Sequence, residues 1–335
     1  MVRTSKLRMI ALLGIAAVLF AVTALGEDQV YKFTFAHAQP LTHPRHLSME
    51  FFKTLVEGAS GGRIQVELFG AGVLGGESDL MDMVKLGTIQ GTRGGAFQRA
   101  SNMYLLITLP FLFNSADEAL AVVRSNLGQR INEASLANGY YVPALGLAGG
   151  FRQITNAKRP ITVPDDIVGL KIRAPGIESI VKTMQALGAA VVSIPYGETY
   201  MGLKTNVAEG QENPYSNIVE MKFYEVQKYL TVINYQVHPD PFFVNPAWYA
   251  SLPGDLKEIF DSAARQAMAY SDTIWLAKED GYRGFLETQL TTNVVSDENR
   301  ALFIAKVKPV WDYFIGQGYF TQEDVDEALE TAAGL

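Results

Sequence analysis

Gly70-Ala-Gly-Val-Leu-Gly75 (GAGVLG) follows the strand-like Arg63-Ile-Gln-Val-Glu-Leu-Phe69 and precedes the helix-like Glu77–Leu86. Its glycines satisfy G-x-G-x-x-G, the turn that cradles a dinucleotide pyrophosphate between a strand and a helix. Taken at face value, the motif makes the chain a doubly wound NADP-dependent oxidoreductase. The surrounding residues oppose that. A dinucleotide site wants the motif in the first strand-to-helix turn and a carboxylate at the end of the next strand. Here the motif sits in the second such turn, and the next strand, Thr88–Arg93, ends without a carboxylate. Arg93 keeps a 2′-phosphate formally open, but the helix after the motif has only about ten residues. The competing reading is a turn: Gly70 and Gly72 permit positive φ, and Glu77 just beyond complements a helix N-terminus.

Working outward, Gln29–Ala36 alternates as a strand, Arg45–Gly58 has helical spacing, and Arg63–Phe69, Glu77–Leu86 and Thr88–Arg93 repeat the alternation. A second run begins near Gly150. Ile161–Lys171 reads as a turn with a short helix, followed by strand Lys171–Ala174, helix Ile177–Leu187, strand Ala190–Ile194 and helix Glu198–Thr205, and Phe223–Tyr229 reads as a further helix. Strands alternating with helices predict mainly parallel sheets with helices on their faces. Pro253 to about Leu290 holds one continuous helical pattern, roughly 55 Å long at 1.5 Å per residue. A helix of that length backs two domains at once.

Composition narrows the function. The chain has 335 residues, enough for two domains with full cores, and no cysteine, which excludes disulfides, thiolate catalysis and cysteine-bound metals. Arg3, Lys6 and Arg8 precede an apolar run from Met9 to Leu25, and Ala24-Leu25-Gly26 supplies small residues before Glu27. That order predicts a cleaved signal peptide over 1–26, hence export to a bacterial periplasm. Removing the three basic residues takes the formal net charge from −7 to −10, which argues against nucleic-acid and anionic-lipid partners. No later stretch is long and apolar enough for membrane insertion of the mature chain, and an exported protein would rarely meet NADP.

Several stretches then occur in a telling order: Gly150-Phe-Arg152-Gln-Ile-Thr-Asn156, Gly169-Leu-Lys-Ile-Arg173-Ala-Pro175, Glu209-Gly-Gln-Glu-Asn-Pro214 and Lys222-Phe-Tyr-Glu-Val-Gln-Lys-Tyr229. With Ser60-Gly-Gly-Arg63, Leu74-Gly75, Leu86-Gly-Thr-Ile89, Leu109-Pro-Phe-Leu-Phe113, Leu187-Gly-Ala189 and Glu198-Thr-Tyr200, they closely resemble the periplasmic solute-binding proteins of TRAP transporters, the DctP family. The resemblance spans essentially the whole mature chain. It implies an α/β, two-domain periplasmic binding protein (type II-like), with a ligand cleft between the domains and a long helix spanning both. Domain I is expected over 27–149 plus about 239–278, and domain II over 150–238 plus about 279–335. No catalysis and no cofactor are implied. The implied partners are a small organic acid and the membrane permease, with a monomer as the family default. An ABC-type binding protein shares the fold logic but lacks these ordered motifs.

The resemblance also assigns candidates. Arg173, at a strand end beside Pro175, matches the arginine that holds the ligand carboxylate, a task suited to two parallel guanidinium hydrogen bonds. Arg152, at the first interdomain crossing, matches a second arginine near the ligand. Asn213 matches an asparagine bonded to the same carboxylate, and Tyr196 falls where a phenylalanine packs on the ligand. Glu77 matches an acidic position that reaches the cleft in some relatives, and His37 lies just past the first strand. Tyr235 replaces a common histidine. Arg93 adds positive charge near the cleft, suiting a second anionic group or a polar sugar acid, with pairing to Glu77 or another carboxylate as the alternative. His37, His43 and His46, set around two prolines without paired carboxylates, are poor metal ligands; His43 and His46 fit the flank or cap of the first helix. The sialic-acid branch carries asparagine and glutamate where this chain has Ala38 and Gly95, which puts sialic acid in doubt.

Overall fold

A computed structural model describes residues 29–334 of the chain, so the expected signal peptide lies outside the described residues. Two sheets carry the fold. The first has the order β2-β1-β3-β10-β4, built from β1 (Tyr31–Ala36), β2 (Ile64–Phe69), β3 (Gly91–Arg93), β4 (Leu145–Leu147) and β10 (Pro239–Val244). The second has the order β11-β9-β5-β8-β6-β7, built from β5 (Arg152–Asn156), β6 (Lys171–Ala174), β7 (Ala190–Ser193), β8 (Gly210–Pro214), β9 (Tyr229–Val232) and β11 (Thr291–Val294). The parallel pairs are those with a helix between their strands, β1–β2 and β6–β7 among them. The strands that cross between sheets, β5 and β10, run antiparallel to their neighbours.

Local sequence explains the elements nearest the cleft. In the first sheet, helix α1 (Pro44–Ala59) begins with proline at its first position, where no N–H is missed, and His43 caps it by accepting from the Arg45 N–H at 3.1 Å. Its apolar side, with Met49, Phe52 and Val56, packs with Phe33, Phe242 and Phe260 in an aromatic cluster whose rings lie 5.0 to 6.1 Å apart. Gly91 is needed beneath that cluster, because a Cβ there would stand 2.5 Å from the Phe33 ring. Helix α2 (Glu77–Leu86) starts at Gly76 and ends on Gly87 in the left-handed conformation.

The chain crosses between sheets beside Ala148–Phe151 and again beside Gln236–His238. Ala148 N–H donates to His238 O and Arg152 N–H to Gln236 O, both at 2.8 Å, so the two crossings form one paired hinge. The third link is helix α6 (Gly254–Gln289), 36 residues long. It buries Phe260, Ala264 and Met268 in the first core and Leu286 in the second.

Two elements depart from expectation. Residues 223–229 do not form one helix: Lys222 takes a positive φ, Phe223–Val226 is a single 3₁₀ turn, and Tyr229 opens β9. The final helix α8 (Gln322–Ala333), expected with the second sheet, packs on helix α3 (Ala116–Arg124) of the first body. Arg130 ties it there, donating to Glu327 at 2.6 Å and Asp324 at 3.1 Å. Helix α7 (Asp297–Gly316) stays on the second body, with Tyr313 donating to Glu178 at 2.8 Å, and reaches the first where Trp311 donates to Pro110 O at 3.0 Å.

Candidate functional site

The two sheets face each other across a cleft of about 430 Å³, lined on one wall by Glu77, Gly95 and Gln98 and on the other by Pro175, Ser193 and Tyr196. At its floor lies a space of about 30 Å³ that shares Glu77, Gly95 and Tyr196 with the cleft and adds Gln39, Arg45, Arg152, Asn213, Asn217 and His238. A larger surface groove, about 630 Å³ between α3 and α6, lies on the side of the molecule that holds none of these residues.

Arg173 stands on β6 opposite Gln211 of β8, and strand alternation puts Asn213 on the same face two residues along. Its Nε donates to Ile194 O at 2.9 Å, while Nη1 and Nη2 are buried without a partner. The guanidinium lies in the field of Glu212, Arg152, Tyr196 and Glu77, and burial pulls its pKa down to about 10. An arginine held buried with both terminal nitrogens empty is costly unless something is meant to fill them.

Arg152 is spent differently. It is a diagonal neighbour of Glu212 on the antiparallel β5–β8 pair and grips that carboxylate with two nitrogens, Nη2 reaching Oε1 at 2.9 Å. Nη1 donates to His238 Nδ1 at 3.3 Å, and Nη2 approaches Asn213 Oδ1 at 3.4 Å. Burial opposes its charge, but Glu212 outweighs that and raises its pKa. Arg152 therefore lines the floor as half of a neutral pair.

Tyr235 and His37, expected at the ligand, stand behind the site and do not line it. The Tyr235 hydroxyl donates to Glu212 at 2.6 Å, completing that carboxylate. His37 accepts from Gln39 N–H at 3.2 Å on Nδ1 and faces His46 Nδ1 at 3.0 Å on Nε2, which defines one neutral tautomer. Burial, then Arg45, holds its pKa down to about 2. Arg93 is a clearer correction. It is fully buried beneath the sheet, donating to Asp240 at 2.6 Å, Ser48 at 2.7 Å and Ser271 at 3.2 Å, so its charge is used between α1 and α6 and not in the cleft.

Arg45, Asp240, His238, Asn217 and Gln39 escaped the sequence reading. Arg45 Nε donates to Asp240 at 3.2 Å, its Nη2 is 3.1 Å from the second carboxylate oxygen, and Nη1 reaches Glu77 at 3.5 Å. Burial pushes the Asp240 pKa up, but Arg45 and Arg93 together drive it well below the carboxylate range. A signal was present: a cation in the first turn of a helix faces the unfavourable dipole end, and a lone aspartate between prolines in an apolar strand must be paired.

The walls already touch. His43 Nε2 donates to Asn217 Oδ1 at 3.2 Å, Asn217 Nδ2 to Asn213 Oδ1 at 3.0 Å, and Asn213 Nδ2 to Gln211 Oε1 at 2.6 Å. Thr42 donates to Glu220, and Gln98 accepts from Glu178 N–H at 2.8 Å. His43 is kept neutral, its pKa near 3 through burial and Arg45, against the opposing bond to Asn217. His43 and the His37–His46 pair thus point different ways, and among the described residues no group of three or more potential ligands could hold a metal ion.

GAGVLG is a turn fastened to the loop that carries Gln39: Ala71 N–H donates to Gln39 O at 2.8 Å and Gly72 N–H to His37 O at 3.1 Å. Gly72 and Gly75 use positive φ. The helix N-terminus where a pyrophosphate would sit is already taken by carboxylates, since Asp79 accepts from Gly76 N–H at 3.1 Å and Glu77 occupies the first turn. Gly95 leaves room for the site, because a Cβ there would lie 3.0 Å from both Glu77 Oε2 and His238 Nε2.

A family model described as bacterial extracellular solute-binding protein, family 7 (DctP), matches residues 35–317. The C4-dicarboxylate-binding periplasmic protein DctP of Shewanella loihica is 30% identical over 285 residues, 84% of this chain and 84% of that protein. An uncharacterized protein of Sinorhizobium fredii is 32% identical over 236 residues, 70% of this chain but only 43% of that protein's length. Among solved structures, the sugar acid binding protein of Advenella mimigardefordensis in complex with galactonate superposes with a TM-score of 0.86 at 27% identity, covering 92% of this chain and 99% of that one.

Proposed function

The chain belongs to family 7 of the bacterial extracellular solute-binding proteins, the DctP family of TRAP transporter receptors, and from that membership we propose that it captures a small organic acid in the cleft between its two sheets. It is a receptor and not an enzyme, as its family is. The observation that carries the ligand class is the pair of empty, buried Nη atoms on Arg173, which match the two oxygens of one carboxylate. Asn213 and Arg152 flank that position. Tyr196 closes it from the second wall, with its ring edge-on to Phe223 at 6.3 Å, and Arg45, Glu77, His238 and Gln39 form the opposite side. Relatives that take C4-dicarboxylates and sugar acids support the choice of acid.

Capture works by closure. Ligand bound to the second wall favours the arrangement in which His43, Thr42 and Gln98 meet Asn217, Glu220 and Glu178, and closure removes water from around the salt bridge. The cleaved chain is periplasmic in this reading and hands the acid to the membrane permease; the two domains follow the two sheets, with α8 returned to the first. The test is calorimetry of the mature chain against dicarboxylates, aldonates, uronates and keto acids, repeated on Arg173→Ala. Micromolar binding of at least one acid, lost by three orders of magnitude in the variant while its melting profile stays cooperative, is the expected result. Undiminished affinity in the variant refutes the assignment of Arg173.

A further inference from the structure

We propose that the site is built for one carboxylate, and that the ligand is a monocarboxylic acid carrying hydroxyl groups and not a dicarboxylate; this rests on the acid-binding reading above. The inference comes from pairing every charge buried around the floor. Arg45 and Arg93 share Asp240, and Arg45 also reaches Glu77, so two cations meet two anions. Arg152 is matched by Glu212. His238, which lines this space, and His43 behind Asn217 are both kept neutral, chiefly by burial. Arg173 alone is unmatched. The ground beside the floor thus holds one uncompensated positive charge, on an arginine buried just behind the lined space, and one carboxylate cancels it.

A second carboxylate finds no free cation. Above the floor the wall offers Glu77 and Asp79, and the one arginine that lines the cleft there, Arg99, is already paired with Asp82. Glu77 accepts hydrogen bonds and repels anions, and Gln39 Oε1 is a buried acceptor without a donor. The Tyr196 hydroxyl, also buried, has the Gln39 side chain as its polar neighbour and can give or take a further hydrogen bond. Hydroxyl groups answer all three, each donating to Glu77 or Gln39, or exchanging with Tyr196. A buried site built for hydroxyl hydrogen bonds also rejects the analogue that lacks them, because its own polar groups are then left unpaired.

The test uses matched pairs on the mature chain by calorimetry: D-erythronate against meso-tartrate, and galactonate against galactarate. Within each pair the carbon skeleton is kept and the terminal hydroxymethyl is replaced by a second carboxylate. Butanoate serves as the control without hydroxyls. The expected result is at least 100-fold tighter binding of an aldonate than of its dicarboxylate partner and of butanoate. Glu77→Gln, which removes one negative charge, is expected to narrow the gap within a pair at least tenfold. Equal or tighter binding of the dicarboxylate, or butanoate equal to erythronate, overturns the inference while the acid-binding reading stands. An unchanged ratio in Glu77→Gln also overturns it. If no acid of either kind binds at millimolar concentration, both fall together.

Discussion

Arg93 and Arg173 occupy corresponding places in the two halves of the molecule. Each stands near the carboxyl end of a short strand, β3 in the first sheet and β6 in the second, and each is fully buried. Their surroundings differ in one respect. Arg93 meets Asp240, Ser48 and Ser271, whereas the terminal nitrogens of Arg173 meet nothing. Burial of a cation therefore marks either a structural clamp or a waiting site, and only the count of partners tells them apart.

The contrast can be broken most directly by removing each charge. Arg93→Met leaves Asp240 with Arg45 alone, a partial loss of pairing for a buried ion whose complete unpairing costs about 3–5 kcal/mol. A large fall in melting temperature is expected, with ligand affinity retained by the protein that stays folded. Arg173→Met removes an uncompensated buried charge and is expected to leave the ligand-free melting temperature unchanged or higher, while abolishing binding. Equal destabilisation by both variants, read by calorimetric melting, would show that Arg173 is a second clamp.

A smaller effect sharpens the view of the hinge. Glu279 on α6 lies against Gly150, where a Cβ would come within 2.3 Å of its carboxylate, and burial, helped by Asp280, pushes its pKa up to about 7. A carboxyl with a raised folded pKa takes up a proton on folding, so its penalty is absent below about 4.5 and complete above about 7. Glu279→Gln is expected to raise stability by about 2 kcal/mol at pH 8 and to change it little at pH 4.5. A gain that does not depend on pH would assign the effect to packing.

The smallest effect concerns the contact across the cleft. His43→Asn keeps a good helix cap but is too short to reach Asn217. Loss of one hydrogen bond worth about 1 kcal/mol predicts roughly fivefold weaker ligand binding with little change in the melting of the unliganded protein. Unchanged affinity would show that this bond does not belong to the closed state that holds the ligand.

How much of this was legible in the sequence depended on the range of the interaction. The helices and strands from Tyr31 to Arg93 and from Lys171 to Lys204 follow the written pattern nearly residue for residue, because alternation and helical spacing are local. Arg173 and Asn213 were singled out by short ordered motifs, and the structure sets them on one face of neighbouring strands. Arg45 and Asp240, 195 residues apart, belong to no common motif, and Arg93 looked equally suited to the cleft until Asp240 was seen to hold it. The 223–229 segment misled because Lys222 enters it at positive φ and it closes as one 3₁₀ turn over Phe223–Val226, leaving Tyr229 to a strand fixed by pairing with β5 and β11.

By itself the sequence determined the α/β architecture, the long helix, the absence of thiol chemistry and the family motifs that single out Arg173. It also contained the grounds for rejecting GAGVLG as a nucleotide site. Tertiary structure alone decided which buried arginines are neutralised and which one is left open, that Tyr235 and His37 support the site from behind, and that α8 returns to the first body. The physical reason is that a charge is compensated by whatever lies within a few ångströms in space, and chain folding sets those neighbours across separations no local pattern encodes.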